Sequence, residues 1–165
     1  MDPSRRLFLR GRVATPVQAR PRPPWAVAEP QFLARCTRCA ACVPACPGGL
    51  LALGDGGYPE ISFARQGCDA CGACSRACPS GAIGPTTGAP FAWRVQVSEA
   101  CLARQYVECR LCGDFCDTRA LRFVPTQGGI SQLQLDPAAC TGCGACVAPC
   151  PVGALRMQLP EGPLA

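Results

Sequence analysis

The sequence predicts an α+β fold in which two similar modules follow one another in tandem after an irregular N-terminal arm rich in proline and arginine. Two observations favour this architecture. The sixteen cysteines of this 165-residue chain fall into four groups of four with none left over. Between two pairs of groups, apolar and polar residues alternate around glycine-rich turns, whereas the first 35 residues contain no cysteine.

The spacing within the cysteine groups is the strongest chemical signal. Three groups read C-x2-C-x2-C-x3-C-P, the bacterial pattern for ligating a [4Fe-4S] cluster, and one reads C-x7-C-x2-C-x3-C-D. We expect up to four clusters, with the third the most labile because of its longer spacer and Asp117 in place of proline. The four groups are Cys36, Cys39, Cys42 and Cys46; Cys68, Cys71, Cys74 and Cys78; Cys101, Cys109, Cys112 and Cys116; and Cys140, Cys143, Cys146 and Cys150.

Two alternatives would use the same thiols differently. Disulfide scaffolds scatter their cysteines because each bridge closes a loop, whereas these thiols are too tightly grouped to suit distant pairing. Zinc sites made of four cysteines use two separated knuckles, in which a third closely spaced cysteine has no role. The chain contains no histidine, which excludes Rieske ligation, c-type haem attachment and histidine acid–base catalysis.

The connecting segments indicate how the repeats are organised. Residues 50–63 and 121–135 each read as a strand, a glycine-containing turn and a returning strand. The segment 91–97 alternates like a new leading strand after a loop at 84–90. We therefore expect two bacterial-type two-cluster ferredoxin modules. The expected domains are a basic Pro-rich arm over 1–35, a first module over 36–90 and a second over 91–165.

Crossed ligation is expected within each module, because in two-cluster ferredoxins the fourth cysteine of a run ligates the other cluster. The expected sets are Cys36, Cys39, Cys42 with Cys78; Cys68, Cys71, Cys74 with Cys46; Cys101, Cys109, Cys112 with Cys150; and Cys140, Cys143, Cys146 with Cys116. A nested arrangement, in which the first repeat pairs with the fourth and the second with the third, is the alternative.

The N-terminal arm carries the whole formal charge of +5, because the remainder of the chain balances its arginines and acids. The stretch SRRLFLR at 4–10 is similar to a twin-arginine export signal. The following residues contain arginines and prolines instead of the apolar segment that a signal peptide needs. We expect a cytoplasmic protein with no membrane span and no nucleic-acid partner, and we hypothesise that Arg5 and Arg6 bind a protein partner.

The chain resembles the NapF family, the ferredoxin-type accessory proteins of periplasmic nitrate reductase. The resemblance covers nearly the whole chain and includes the unusual x7 spacer. Its motifs are SRR at 4–6, Gly11-Arg12, RPPW at 22–25, CTRC at 36–39, GGYP at 56–59, Ala92-Trp93, ACLA at 100–103, VECR at 107–110, and ACTGCGAC and PCPVGAL within 139–155. It implies several [4Fe-4S] clusters in a cytoplasmic protein that binds the catalytic molybdoenzyme subunit, the nitrate reductase precursor, before export.

Three functions can be weighed against these observations, and two of them agree with the sequence. The resemblance implies a factor that aids maturation or cluster assembly of that catalytic subunit. The cysteine pattern is also consistent with a polyferredoxin that carries electrons to a molybdenum reductase. A redox enzyme is disfavoured, because the sequence offers no open metal site, nucleotide motif or acid–base pair. Because the apolar core is small, we expect cluster binding to supply much of the folding free energy.

Overall fold

The computed structural model describes residues 21–126 and 129–159. The elements are short, and two single turns of 3-10 helix cover Asp55–Gly57 and Leu102–Gln105. The α-helices are α1 (Glu29–Arg35), α2 (Cys42–Ala45), α3 (Ala73–Arg76) and α4 (Leu111–Asp114). The strands are β1 (Leu51–Leu53), β2 (Pro59–Ile61), β3 (Arg94–Val97), β4 (Leu121–Pro125), β5 (Ser131–Leu135) and β6 (Leu155–Gln158). Helices this short are unstable alone in water, so tertiary contacts must hold them.

The strands form three antiparallel pairs, β1–β2, β4–β5 and β3–β6. The first two pairs confirm the hairpins that the connecting segments predict. Leu51 lies opposite Ile61 in the first hairpin, and Leu121 lies opposite Leu135 in the second. The first residue of each hairpin, Leu51 or Leu121, is buried, so each hairpin covers the core of its own module.

The pair β3–β6 joins the beginning of the second module to the segment after its last cysteine. Val97 lies opposite Leu155, and the Ser98 amide donates to the Ala154 carbonyl at 2.9 Å. The first module has a shorter equivalent. Ala26 forms an antiparallel bridge with Ile83, and the Val27 amide donates to the Ala82 carbonyl at 3.1 Å.

Residues 21–35 therefore differ from the irregular arm that the sequence predicts. They contain helix α1 and supply the strand-like residue that pairs with the end of the first module. The side chain of Phe32 is fully buried, whereas Leu33 next to it is 41% exposed. The physical reason is that the backbone groups after Cys78 need hydrogen-bond partners, and the segment before Cys36 provides them. Residues 1–20 of the expected arm, with Arg5 and Arg6, lie outside the described residues.

The side chain of Arg22 links residues 21–35 to the first module. Its guanidinium donates two hydrogen bonds to the Glu29 carboxylate, at 2.9 and 2.7 Å, and a third to the Pro59 carbonyl at 3.3 Å. The same group lies 4.9 Å from the centre of the Phe32 ring and 5.4 Å from that of Tyr58. Arginine can make these contacts together because its planar fork binds carboxylates and stacks on aromatic faces.

Two apolar cores correspond to the two modules. The first is built around Phe32, Leu50, Leu51, Ile61 and Ile83, and the second around Val95, Leu121 and Leu155. The partly buried side chains of Val147 and Met157 pack against both cores. None of the helices in 21–126 and 129–159 has the length and apolar character needed to cross a bilayer.

Candidate metal centres

Four cavities are each lined by four cysteines, and every cysteine of the chain lines one of them. The first site comprises Cys36, Cys39, Cys42 and Cys78. The second comprises Cys46, Cys68, Cys71 and Cys74. The third comprises Cys101, Cys109, Cys112 and Cys150. The fourth comprises Cys116, Cys140, Cys143 and Cys146.

The structure thus brings the fourth cysteine of each repeat to the cavity of the neighbouring repeat in the same module. Cys150, which a nested arrangement would place beside the first repeat, instead lines the third site. All sixteen cysteines lie within the described ranges, and none of them forms a disulfide. The crossed sets expected from the spacing are therefore the sets that the fold assembles.

The cysteine loops of three repeats share one backbone pattern. The residues on either side of the second cysteine have positive φ: Arg38 and Ala40 in the first repeat, Ala70 and Gly72 in the second, and Gly142 and Gly144 in the fourth. Alternation between right-handed and left-handed backbone conformations winds a short loop tightly, so that successive backbone N–H groups point into one concavity. Such a concavity suits an anionic iron–sulfur core.

The third repeat departs from this pattern. Arg110, which follows its second cysteine, has φ −126°, and the left-handed residue of this loop is Tyr106, where the 3-10 helix Leu102–Gln105 ends. The x7 spacer thus forms a helical turn of its own, and the loop reaches Cys109 along a different path. This is the structural counterpart of the unusual spacing at the third site.

Backbone and side-chain groups donate hydrogen bonds to several thiols. The Ala70 amide lies 3.4 Å from the Cys68 sulfur, the Ile83 amide 3.4 Å from that of Cys78, and the Ala154 amide 3.2 Å from that of Cys150. Hydrogen bonds of this kind stabilise thiolates and tune the potentials of iron–sulfur clusters.

Two hydroxyl contacts were not foreseen from the sequence. The Ser80 hydroxyl lies 3.6 Å from the Cys78 sulfur, and the Thr118 hydroxyl lies 3.7 Å from the Cys116 sulfur. Each hydroxyl residue stands two positions after the fourth cysteine of its repeat, and this spacing is the signal that could have found them. In the first and fourth repeats the same position is Gly48 and Val152.

Burial perturbs the acid–base behaviour of the innermost thiols. Desolvation raises the pKa of Cys68, Cys74 and Cys112 to about 11. It raises the pKa of Cys146 to about 12, and the neighbouring Cys143 and Cys140 add to the increase. Without iron these thiols stay protonated at neutral pH, so loading a metal centre must release protons.

Cys78 behaves in the opposite way. Its partial burial works to raise the pKa of its thiol, but the hydrogen bonds from Ile83, Ser80 and Ala82 outweigh desolvation and lower the pKa below the ordinary value. The thiol of Cys78 therefore ionises more readily than that of Cys42 in the same site, whose pKa is raised by burial.

The donor sets fit a [4Fe-4S] core. Every site offers four cysteine sulfur donors, which is the ligation that iron–sulfur cubanes use, and the sequence contains no histidine. Small residues such as Ala40, Gly72 and Gly144 line or flank the loops, which allows backbone amides to approach a bulky inorganic core. Across residues 21–126 and 129–159, no three acidic or cysteine side chains converge closely enough to hold a single metal ion.

The comparisons with known proteins agree with this chemistry. Residues 35–85 and 107–154 match the family model of the 4Fe-4S dicluster domain. The chain is 44% identical over 158 residues to the ferredoxin-type protein NapF of Escherichia coli, covering 96% of each chain. It is 44% identical over 137 residues to the ferredoxin-type protein NapF of Haemophilus influenzae, covering 83% of this chain and 78% of that one.

A more distant relative has a different name. The methylamine utilization ferredoxin-type protein MauM of Paracoccus denitrificans is 35% identical over 161 residues, which cover 86% of this chain and 72% of that protein. The two dicluster matches fit tandem ferredoxin modules, and the mixed helix and strand content agrees with the α+β expectation. The cofactors of this chain are therefore [4Fe-4S] clusters, and the chain belongs to the NapF family of ferredoxin-type proteins.

Proposed function

We propose that all sixteen cysteines ligate iron, in the four crossed sets that line the four cavities. The observation that carries this proposal is that each cavity is lined by one complete set of four thiols, three from one repeat and the last from its neighbour. Each module would then hold two [4Fe-4S] clusters and depend on both of its repeats.

Iron and acid-labile sulfide counts on anaerobically purified protein test the number of clusters, and one variant tests their ligation. Cys150→Ala removes a thiol from the third site, so it should abolish the third cluster and leave the first intact. Cys78→Ala is the matched control, because it should abolish the first cluster and leave the third intact. Loss of the first cluster from Cys150→Ala would contradict the crossed sets and support nested ones.

We further propose that the protein aids the maturation of the catalytic molybdoenzyme subunit of periplasmic nitrate reductase, in the cytoplasm and before export. Membership of the NapF family is the main support. The accessibility of the sites is consistent with this role, because the cluster-site residues Cys39 and Cys71 are exposed. Leu111 and Val152, which line the third cavity, are 42% and 43% exposed and offer an apolar contact surface beside that site.

The alternative function is an electron-transfer polyferredoxin that delivers electrons to a molybdenum reductase. It is favoured by the same thiol sets, since [4Fe-4S] clusters carry electrons and the exposed Cys39 and Cys71 bring two of the sites to the surface. In either role the protein acts as a redox or accessory protein without a catalytic centre of its own.

One pair of measurements separates the two functions. Protein loaded with isotopically labelled iron is mixed anaerobically with the cluster-free catalytic subunit. A maturation factor should transfer label to that subunit and restore its activity, and it should bind the precursor in a pull-down. A carrier should keep its label and instead support steady nitrate reduction by the mature enzyme. Retained label without precursor binding would contradict the maturation role.

We also propose that Arg5 and Arg6 contact the catalytic subunit. The concentration of positive charge in residues 1–20 supports this, since electrostatic complementarity steers association. The variant Arg5→Ala/Arg6→Ala should weaken capture of the precursor. Arg10→Ala/Arg12→Ala removes the same charge from the same segment and is the matched control. Equal capture by the two variants would indicate a general charge effect instead of a specific contact.

A further inference from the structure

The two modules meet at the loops that carry the second and fourth sites. The Cys68 amide of the second site donates a hydrogen bond of 2.8 Å to the Cys143 carbonyl of the fourth. This bond links a residue of one thiol set directly to a residue of another, across the boundary between the modules. We call the contact formed by Gly67, Cys68, Cys143 and Gly144 the junction.

Two glycines make the junction close enough for this bond. A Cβ at Gly67 would lie 2.6 Å from both Cα and Cβ of Ala145, a distance that requires backbone to move. A Cβ at Gly144 would collide with the ring of Phe63, and Gly144 has φ +73°. Phe63 in turn packs edge-on against Phe91, with ring centres 5.8 Å apart. The approach of the two loops is thus supported by packing on both sides.

Within each module the sites also adjoin one another. Helices α2 and α3, which begin at Cys42 and just before Cys74, are packed together, and the buried side chains of Cys42 and Cys74 lie in the same core. Cys112 of the third site and Cys146 of the fourth are likewise buried together in the second core. In every repeat, three residues separate the third cysteine from the fourth, and these two cysteines line adjoining sites.

From these contacts we infer that the four sites form a single line in the order first, second, fourth, third, and that the junction is the link between the modules. The inference rests on the cysteine sets proposed above. The first and third sites are the ends of this line, and Cys39 of the first site is exposed. Clusters held by the second and fourth thiol sets would supply one-electron chemistry, and the hydrogen bond from the Cys68 amide to the Cys143 carbonyl would lie between the two sets.

Electron paramagnetic resonance of dithionite-reduced protein tests the order, because adjacent reduced clusters couple magnetically and distant ones do not. A protein that keeps only the second and fourth sites is made with Cys36→Ala/Cys39→Ala and Cys101→Ala/Cys109→Ala. It should show a spin-coupled spectrum. A protein that keeps the first and fourth sites should instead show two isolated clusters.

The matched pair Gly67→Ala and Gly84→Ala tests the junction with all cysteines present. A Cβ at Gly84 would meet no atom closer than the Trp25 carbonyl oxygen at 3.4 Å, so this variant should keep the wild-type spectrum. Gly67→Ala should lose the coupling between modules and expose the Cys68 amide to faster hydrogen exchange. This comparison keeps the inference testable if proteins that lack two sites load poorly.

Iron and sulfide counts on the same samples separate the two proposals. Four clusters per wild-type chain, together with uncoupled second and fourth sites, would overturn the linear order and leave the cysteine sets intact. Coupling between the first and fourth sites as strong as that between the second and fourth would also overturn it. Loss of the first cluster from the Cys150→Ala protein, with the third retained, would instead overturn the cysteine sets themselves.

Discussion

Left-handed backbone conformations mark the residues that shape the cluster loops. Three positions after its fourth cysteine, each repeat turns at a residue with positive φ: Gly49, Gly81, Arg119 and Gly153. Glycine adopts this conformation without steric cost, whereas a side chain is strained there. Arg119 therefore occupies, in the third repeat, a position where the other repeats have glycine.

Replacing this arginine should stabilise the second module. At φ +53° a side chain costs about 1 kcal/mol, so Arg119→Gly should increase the free energy of unfolding by up to ~1 kcal/mol, less the greater entropy of glycine in the unfolded chain. The reciprocal variant Gly153→Ala, where φ is +59° and no atom lies within 4 Å, should lose about as much. Anaerobic chemical unfolding of the loaded protein measures both, and a destabilised Arg119→Gly variant would contradict the strain argument.

At the scale of elements, short helices and strands are positioned by contacts that are remote in sequence. Helix α1 is held by Arg22, whose side chain is only 9% exposed, through its ion pair with Glu29. The third cysteine loop is instead positioned by its own helical turn, Leu102–Gln105, which packs against strand β5. Elements of this size keep their place only while these contacts persist.

Removal of the Arg22 side chain should loosen α1 from the first module. Because the guanidinium is buried but Glu29 is partly exposed, we expect Arg22→Ala to cost about 2–3 kcal/mol, below the full value for a buried pair. Arg104→Ala breaks the exposed pair with Glu99 and should cost about 0–1 kcal/mol. Chemical unfolding compares the two, and equal losses would show that the buried pair has no special role.

The third cluster should be the first to be lost. Its loop lacks the paired left-handed residues that direct amides inward in the other three repeats, so fewer backbone donors stabilise a cluster there. Limited exposure to air or a chelator should remove it before the others. Electron paramagnetic resonance of the reduced sample follows this loss, with Cys150→Ala as the reference spectrum for a protein without that cluster. Loss of the first or fourth cluster before the third would contradict the prediction.

At the scale of the whole molecule, two small apolar cores lie beside the four cavities that are lined by cysteines. The fully buried large side chain among the described residues is Phe32, and the cores otherwise consist of a few aliphatic residues together with the cysteines themselves. Such cores supply little folding free energy compared with the entropy of ordering the chain. Metal binding must supply the remainder.

Removal of iron should therefore unfold both modules. Without iron, the buried thiols lose their bonds to metal, and any that ionise repel one another. Treatment with a chelator and reductant should abolish the near-ultraviolet circular dichroism and most secondary structure, and reconstitution should restore them. Retention of a native spectrum by iron-free protein would show that the apolar cores suffice.

The thiol sets could be predicted from the sequence, whereas the contacts around them could not. Cysteine spacing is a local property, and it was enough to assign Cys150 to the set that lines the third cavity. The role of Arg22 was missed, because a lone arginine among prolines gives no sign that it will be buried. The junction at Gly67 was missed for the same reason, since it depends on Ala145, a residue far along the chain.

The bridge between Ala26 and Ile83 has a consequence for any shortened form of the protein. A chain that starts at Cys36 retains every metal ligand and appears complete when only its cysteines are counted. It would nevertheless leave the backbone groups of residues 82–84 without partners and uncover the apolar surface beneath Phe32. An uncovered strand edge beside an apolar surface invites pairing with another copy, so such a form should precipitate although it can still bind iron.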